Sequence, residues 1–417
     1  MSSLKKVLFI NHSIRDGGPG RSMFYIMKYL DRTKIAPYVL VPKHDIFSEQ
    51  MESLGLRGNV IVDPRFPENI MRGVFSDNNA SGADRRFRTS GLKKGVSIFL
   101  NVLGLLSLIL TSPFLLRGRR VDVIYCNGTL AKITGALIGL LNRRPVIWHV
   151  RNIQQTAAMK LTMRALSRLR VVRRIICVSE AAAMQFSFVR DKVRVINNGV
   201  DTEEFSPGAI KGELRDRYKF TKNTIVVGSV GRIVPRKGYE FLISAALEVK
   251  KQLTESEQKR VKFVIVGDTP HFFRLNHLDY LKELVKKYGL DDVVIFTGYK
   301  SDVRPYLKDF DIFVIPSNYP DPFPRVVIEA MAFSLPVIGF KQGGITEAVE
   351  GGITGFLLNS EGSEKMGESI MELIGNPKRR KAMGKAGRLR VEARFQASII
   401  TTKIQDEILD VLGDRSA

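Results

Sequence analysis

Two patterns of apolar residues alternate along the chain. Short, nearly unbroken apolar runs recur at residues 7–11, 38–41, 122–126, 146–150, 174–178 and 193–196, then at 225–230, 262–266, 293–296, 312–315, 336–339 and 355–358. Between them lie longer stretches, such as 23–30, 239–253, 278–288 and 326–333, with apolar residues every third or fourth position. A run with no polar alternation is a strand buried on both faces, and the three-to-four spacing is a helix with one covered face. Strands joined by helices give parallel sheets. The pattern predicts an α/β protein of two Rossmann-like, doubly wound domains, residues 1–200 and 201–392. The boundary is the Gly-, Pro- and charge-rich stretch 198–222. Ligands of such sheets bind beyond the carboxyl ends of the strands, so two facing domains imply one cleft between them.

One segment breaks the rhythm. Residues 95–116 carry no charge and are rich in Leu, Ile, Val and Phe, with Lys93, Lys94, Arg117, Arg119 and Arg120 at the two ends. The length permits a membrane span, but basic residues at both ends set no orientation. A span would also put the runs at 7–10 and 121–126, two strands of one sheet, on opposite sides of a bilayer. The expectation is a helix that packs on the sheet or lies on a membrane surface, broken near Ser112-Pro113.

Composition is that of a globular protein, with 417 residues, 44% hydrophobic and 26% charged. Charge is less ordinary. The formal net charge is +23, and residues 1–200 hold 32 Lys and Arg against 12 Asp and Glu, while the remainder is nearly balanced at 33 against 30. The first half is therefore expected to meet something anionic. No nucleic-acid-binding motif accompanies the charge, so a specific nucleic acid is not expected. The start of the chain shows no secretory signal. Two cysteines, Cys126 and Cys177, make neither a disulfide framework nor a zinc motif. A cytoplasmic protein is expected, peripheral on the cytoplasmic membrane face if residues 95–116 touch lipid.

Candidate chemistry gathers where strands end. Gly17-Gly18-Pro19-Gly20 follows the first strand and could bring backbone to an anion at a helix start. Gly231-Arg232, with Lys237 six residues after Gly231, brings two cations to the start of the second half, where they can neutralise a diphosphate without a metal. Asp321 and Glu329 stand eight apart, one in a loop and one a turn inside the helix that follows Pro324. They face a helix start where the Val326 and Val327 amides can meet phosphate. Glu329 suits vicinal hydroxyls such as those of a ribose, and Asp321 suits a sugar ring. A shared-proton dyad fits a loop–helix pair poorly.

These residues resemble glycosyltransferase family 4, retaining enzymes of the GT-B fold. The stretch PSNYPDPFPRVVIEAMAFSLPV with GGITE after it is similar to the family's E-x7-E region. GGPGR near the start, NGVD with Phe205, the VGR…P.KG loop and VIVGD are further matches. The resemblance spans roughly residues 5–395. It implies that Arg232 and Lys237 clamp the donor diphosphate with Gly231 beside them, and that Glu329 holds the ribose. Gly298 and Tyr299 read the base. Asp321 with the backbone of Phe323, Pro324 and Arg325 holds the transferred sugar, His149 reaches that sugar, and Gly17 and Gly18 line the phosphates and acceptor side. It also implies that helix 393–413 packs back on the first domain. Two departures stand out: Asp321 replaces the family's first Glu, and Pro322 and Pro324 remove two N–H donors where Gly is frequent.

The implied reaction is transfer, with retention, from a nucleotide-diphosphate sugar, UDP- or GDP-linked, to a glycan or lipid-linked acceptor in cell-surface polysaccharide or glycolipid assembly. No cofactor and no essential metal are expected, since no Asp-x-Asp motif stands at the site and Asp291-Asp292 reads as a solvated turn. The alternatives are a nucleotide-sugar 2-epimerase and a non-catalytic GT-B protein that binds a nucleotide sugar.

Overall fold

The computed structural model describes residues 4–12, 18–67, 91–270, 276–359 and 362–413. The chain divides into two compact units: Met1–Asn197 with Ile400–Ala417, and Asn198–Ile399. The described residues form thirteen strands in two sheets, with every pairing between strands parallel.

The first unit holds β1 (Lys5–Asn11), β2 (Ile35–Val41), β3 (Val60–Val62), β4 (Val123–Asn127), β5 (Val146–Val150), β6 (Val172–Cys177) and β7 (Val193–Val195). Their spatial order is β3-β2-β1-β4-β5-β6-β7, so the winding direction reverses between β1 and β4. β4 and β5 are buried along their whole length, as continuous apolar runs require. The short β3 has no counterpart among the predicted runs; it sits at the sheet edge and is half exposed. The helix Ala397–Val411 returns to this unit. Its Ile400, Ile404 and Ile408 enter the core beside Val7, Phe9 and Ile35, and Arg174 of β6 pairs with its Glu407 and Asp410.

The segment read as apolar forms one helix, Gly91–Arg119, and Pro113 does not break it. Proline removes the N–H that would reach the Ile109 carbonyl. The Ser112 hydroxyl donates to that carbonyl at 2.6 Å instead, so the turn stays satisfied. Leu105, Leu108, Ile109 and Leu116 are buried, whereas Phe99, Leu103, Leu106, Leu110 and Phe114 form an exposed stripe, with Phe114 82% and Leu110 69% exposed. By length and composition Ile98–Arg119 could cross a membrane. Yet β1 before it and β4 after it pair directly, Val7 beside Val123, and a single crossing would separate them.

The second unit holds β8 (Ile225–Val230), β9 (Val261–Val266), β10 (Val294–Phe296), β11 (Ile312–Ile315), β12 (Val337–Phe340) and β13 (Gly355–Leu358), in the order β10-β9-β8-β11-β12-β13. Its winding reverses between β8 and β11, and the loops leaving those two strands carry most of the sequence-predicted site.

Candidate active site

Beyond β8, Val230 leads into a short 3-10 turn, Pro235–Lys237, and then the helix Tyr239–Gln252. Lys237 ends that turn, and its Nζ lies 2.6 Å from Asp321 Oδ2 in the loop beyond β11, both side chains largely buried. Arg232, in the same loop as Lys237, is exposed. Arg236 lies over the Tyr319 ring, a second tie between the two loops.

The loop carrying Asp321 is braced from behind. Gly344 donates its amide to the Asp321 carbonyl at 2.8 Å. A Cβ at Gly344 would lie 1.9 Å from the Pro322 carbonyl, so only glycine lets these backbones meet. Asn198 Nδ2 donates to the Phe323 carbonyl, and Phe323 packs on Phe395. The helix Arg325–Ala332 follows with Pro324 as N-cap. Its first turn closes on itself, since the Val327 amide donates to the Pro324 carbonyl at 3.1 Å. That amide was expected to meet phosphate; here it is committed inside the turn, and Val326, half-buried, is the position left at the rim.

Glu329 is buried, with Oε1 3.2 Å from Arg325 Nη2. Arg325 in turn donates through Nη1 to the Gly199 carbonyl at 2.8 Å. The Arg325 side chain is thus a strut between the linker and Glu329. Asp321 and Glu329 sit in two separate ion pairs, an arrangement unlike carboxylates that share a proton. Gly298 lies further along the same edge, accepting from the Gly267 amide at 3.0 Å, with Tyr299 exposed beside it. The Gly231 amide donates to the Val266 carbonyl, which brings the ends of β8, β9 and β10 side by side. Gly231, Arg232, Lys237, Gly298, Tyr299, Asp321, Phe323, Pro324, Arg325, Val326, Val327 and Glu329 therefore all lie along the carboxyl edge of one sheet.

The remaining candidates belong to the first unit. Gly17 lies outside the described residues, and Gly18 opens the helix Gly18–Tyr29. His149, in β5, is 1% exposed. The Tyr125 hydroxyl bonds its Nδ1, and Arg151 Nη2 approaches the same nitrogen at 3.2 Å. A guanidinium only donates, so Nδ1 is an acceptor and the ring proton sits on Nε2. Burial, then the Arg151 and Lys132 charges, hold the imidazole well below its ordinary range, so it is neutral at pH 7. Its Nε2 is buried and has no partner among the described residues. Tyr125, Arg151 and Lys132 did not figure among the predicted site residues. The one sequence signal for Lys132 is its position as the single charge within the apolar stretch 129–142.

Two parallel, doubly wound sheets with alternating helices are the architecture of the GT-B fold. Comparison with known sequences narrows this. The family described as Glycosyltransferase Family 4 matches residues 16–204, and that described as Glycosyl transferases group 1 matches residues 210–390. The chain belongs to the family 4 glycosyltransferases. It is 35% identical over 199 residues to a D-inositol 3-phosphate glycosyltransferase of Kribbella flavida, a match covering 47% of this chain and 46% of that protein. The chain thus spans about half the length of that relative. It is 25% identical over 343 residues to UDP-Gal:alpha-D-GlcNAc-diphosphoundecaprenol alpha-1,3-galactosyltransferase of Escherichia coli, covering 79% of this chain and 85% of that one. Among solved structures, Anabaena Alr3699/HepE in complex with UDP and glucose superposes with a TM-score of 0.75 at 24% identity, covering 97% of this chain and 100% of that one, which establishes the shared fold.

Proposed function

We propose that the chain transfers a sugar, with retention and without a metal, from a UDP- or GDP-linked donor to a lipid-linked or polysaccharide acceptor. The observation that carries this is the edge of the second sheet, where Lys237, Asp321 and the start of the helix Arg325–Ala332 converge at the β8/β11 reversal. As the bond to the diphosphate breaks, negative charge grows on the leaving oxygens while the sugar becomes oxocarbenium-like. Lys237 and Arg232 are fixed cations suited to the former. Glu329, oriented by Arg325, takes the ribose hydroxyls, and the backbone at Gly298 and Tyr299 takes the base. Asp321 exchanges its bond to Lys237 for the sugar hydroxyls once diphosphate arrives.

For the acceptor, the relatives supply the direction: one acts on a diphosphoundecaprenol-linked sugar, another on inositol 3-phosphate. We read the exposed stripe Phe99, Leu103, Leu106, Leu110 and Phe114, with Arg117, Arg119 and Arg120 at its end, as a surface that settles on anionic lipid at the cytoplasmic face. The test of the reaction is incubation of the protein with UDP- and GDP-sugars, EDTA and a lipid-linked acceptor, followed by NMR of the new anomeric centre. A product of unchanged anomeric configuration supports the reading. Release of free nucleotide with an epimerised sugar and no transfer overturns it in favour of the 2-epimerase.

A further inference from the structure

The first sheet also reverses its winding, between β1 and β4, and several hydrogen-bond donors, Lys132, Arg151 and His149 among them, gather near that point. Lys132 lies in the first turn and a half of the helix Thr129–Asn142, which follows β4. It is fully buried, yet the partner of its ammonium is Asn152 Oδ1 at a long 3.4 Å. The groups acting on its charge are the Cys177 and Cys126 thiols and Arg151; no carboxylate among the described residues is one of them. Burial pushes both thiols up, so they stay neutral and supply no counter-charge. Burial likewise pulls the ammonium down to about 8, which still leaves it mostly charged at pH 7.

A buried ammonium with no anion among the described residues is costly unless a ligand completes it. Its surroundings favour an anion. The helix presents its N-terminal amides here, and Gly128, its N-cap, supplies no side-chain cap. A side chain at Gly128 would overlap the His12 ring, which lies over the helix start with its Nδ1 unpartnered among the described residues. His149 adds a buried Nε2–H donor without a partner among the described residues, and Arg151 adds a guanidinium anchored by Nε on Asn127 Oδ1 at 2.7 Å. His149 and Lys132 are electrostatic neighbours, as are His12 and Lys132.

We propose that this edge of the first unit binds a phosphate group, with Lys132 as its counter-charge, Arg151 and His149 Nε2–H as flanking donors, and His12 Nδ1 accepting from a neighbouring hydroxyl. The site stands on the first unit's own atoms. Its assignment to a phosphate of the acceptor rests on the glycosyl-transfer reading.

The test is thermal unfolding of the full chain titrated with inorganic phosphate and with UDP, against sodium chloride of equal ionic strength, for wild type, Lys132→Met, Lys132→Arg and Lys237→Met. Wild type and Lys237→Met should gain melting temperature saturably with phosphate. Lys132→Met should need at least tenfold more phosphate, Lys132→Arg should retain the response, and unliganded Lys132→Met should melt no lower than wild type, because an uncompensated charge has gone. If UDP still stabilises Lys132→Met, the phosphate belongs to the acceptor; if its UDP response is lost too, the same site serves the donor diphosphate. Should Lys132→Met fail to fold, Arg151→Gln takes its place, with weakened phosphate binding expected. A wild type with no saturable phosphate response beyond chloride, or an unchanged response in every variant, overturns the proposal. Neither outcome depends on whether transfer occurs.

Discussion

Lys237 Nζ and Asp321 Oδ2 lie 2.6 Å apart, joining two loops whose residues are 84 positions apart in the chain. The link exists because β8 and β11, far apart in sequence, are neighbours at the winding reversal of the second sheet. Under the proposed function this cation takes the diphosphate and this carboxylate the sugar, and the two ligand groups would then arrive by displacing one ion pair.

That competition predicts opposite effects of two substitutions. Lys237→Ala should weaken nucleoside-diphosphate binding at least tenfold, about 1.4 kcal/mol. Asp321→Asn should strengthen diphosphate binding several-fold, because the competing carboxylate has been neutralised, while lowering turnover. Calorimetric titration with UDP and GDP reads both; weaker binding in Asp321→Asn would contradict the competition.

Glu329 and Arg325 are both buried, so removing one leaves the other's charge uncompensated. Glu329→Ala should cost about 3 kcal/mol of stability. It should also weaken UDP far more than inorganic diphosphate, since the ribose contact is lost and the phosphate contacts are not. Urea unfolding and paired titrations check the two halves separately.

Much of this was legible in the apolar pattern. Strands 146–150, 225–230 and 312–315 occupy the residues their continuous apolar runs predict, because they are buried along all or most of their length, and the partly buried edge strand 355–358 matches as well. β3 was not legible: three half-exposed edge residues carry little pattern. Pro113 misled because the compensating Ser112 hydroxyl acts within the helix, which no local propensity records. The individual residues of the second site could be picked out from spacing, but their pairing could not, since Lys237 meets Asp321 and Arg325 meets Gly199 only through the sheet order and the returning linker. Lys132 and Tyr125 read as ordinary helix and strand positions; the register sets Tyr125 opposite Ile147, and only the diagonal hydrogen bond of its hydroxyl brings it to His149.

Two buried histidines make stability pH-dependent. Burial pulls His12 down to about 4, and His149 is also held well below its ordinary value. The unfolded chain takes up these protons near pH 6.5 while the folded one does not, so their contribution is complete above pH 6.5 and is lost as pH falls towards 4. Each should give a slope of about 1.4 kcal/mol per pH unit in that window. Urea unfolding between pH 7 and 5 should lose part of its slope in His12→Asn and in His149→Asn.

The tautomer of His149 is open to direct observation. Nitrogen-15 NMR should find its proton on Nε2 and the ring neutral at pH 6. Tyr125→Phe removes one donor to Nδ1 and should raise the population of the other tautomer, with a change in the pH profile of turnover; a proton on Nδ1 in wild type would contradict the geometry.

The exposed stripe of the helix Gly91–Arg119 predicts lipid binding. Leu110→Glu with Phe114→Glu should abolish co-sedimentation with vesicles containing anionic lipid and leave the melting temperature within a few degrees, because both side chains face outward. Undiminished sedimentation would remove the stripe from the account.

The central claim is that the carboxyl edge of the second sheet receives a nucleotide diphosphate through Lys237 and Glu329. Calorimetric titration of wild type, Lys237→Ala and Glu329→Ala with UDP and GDP in EDTA tests it most directly. The account predicts one-to-one binding of one of them by wild type, at least tenfold weaker in each variant. Binding by neither nucleotide, or equal binding by all three proteins, would contradict it.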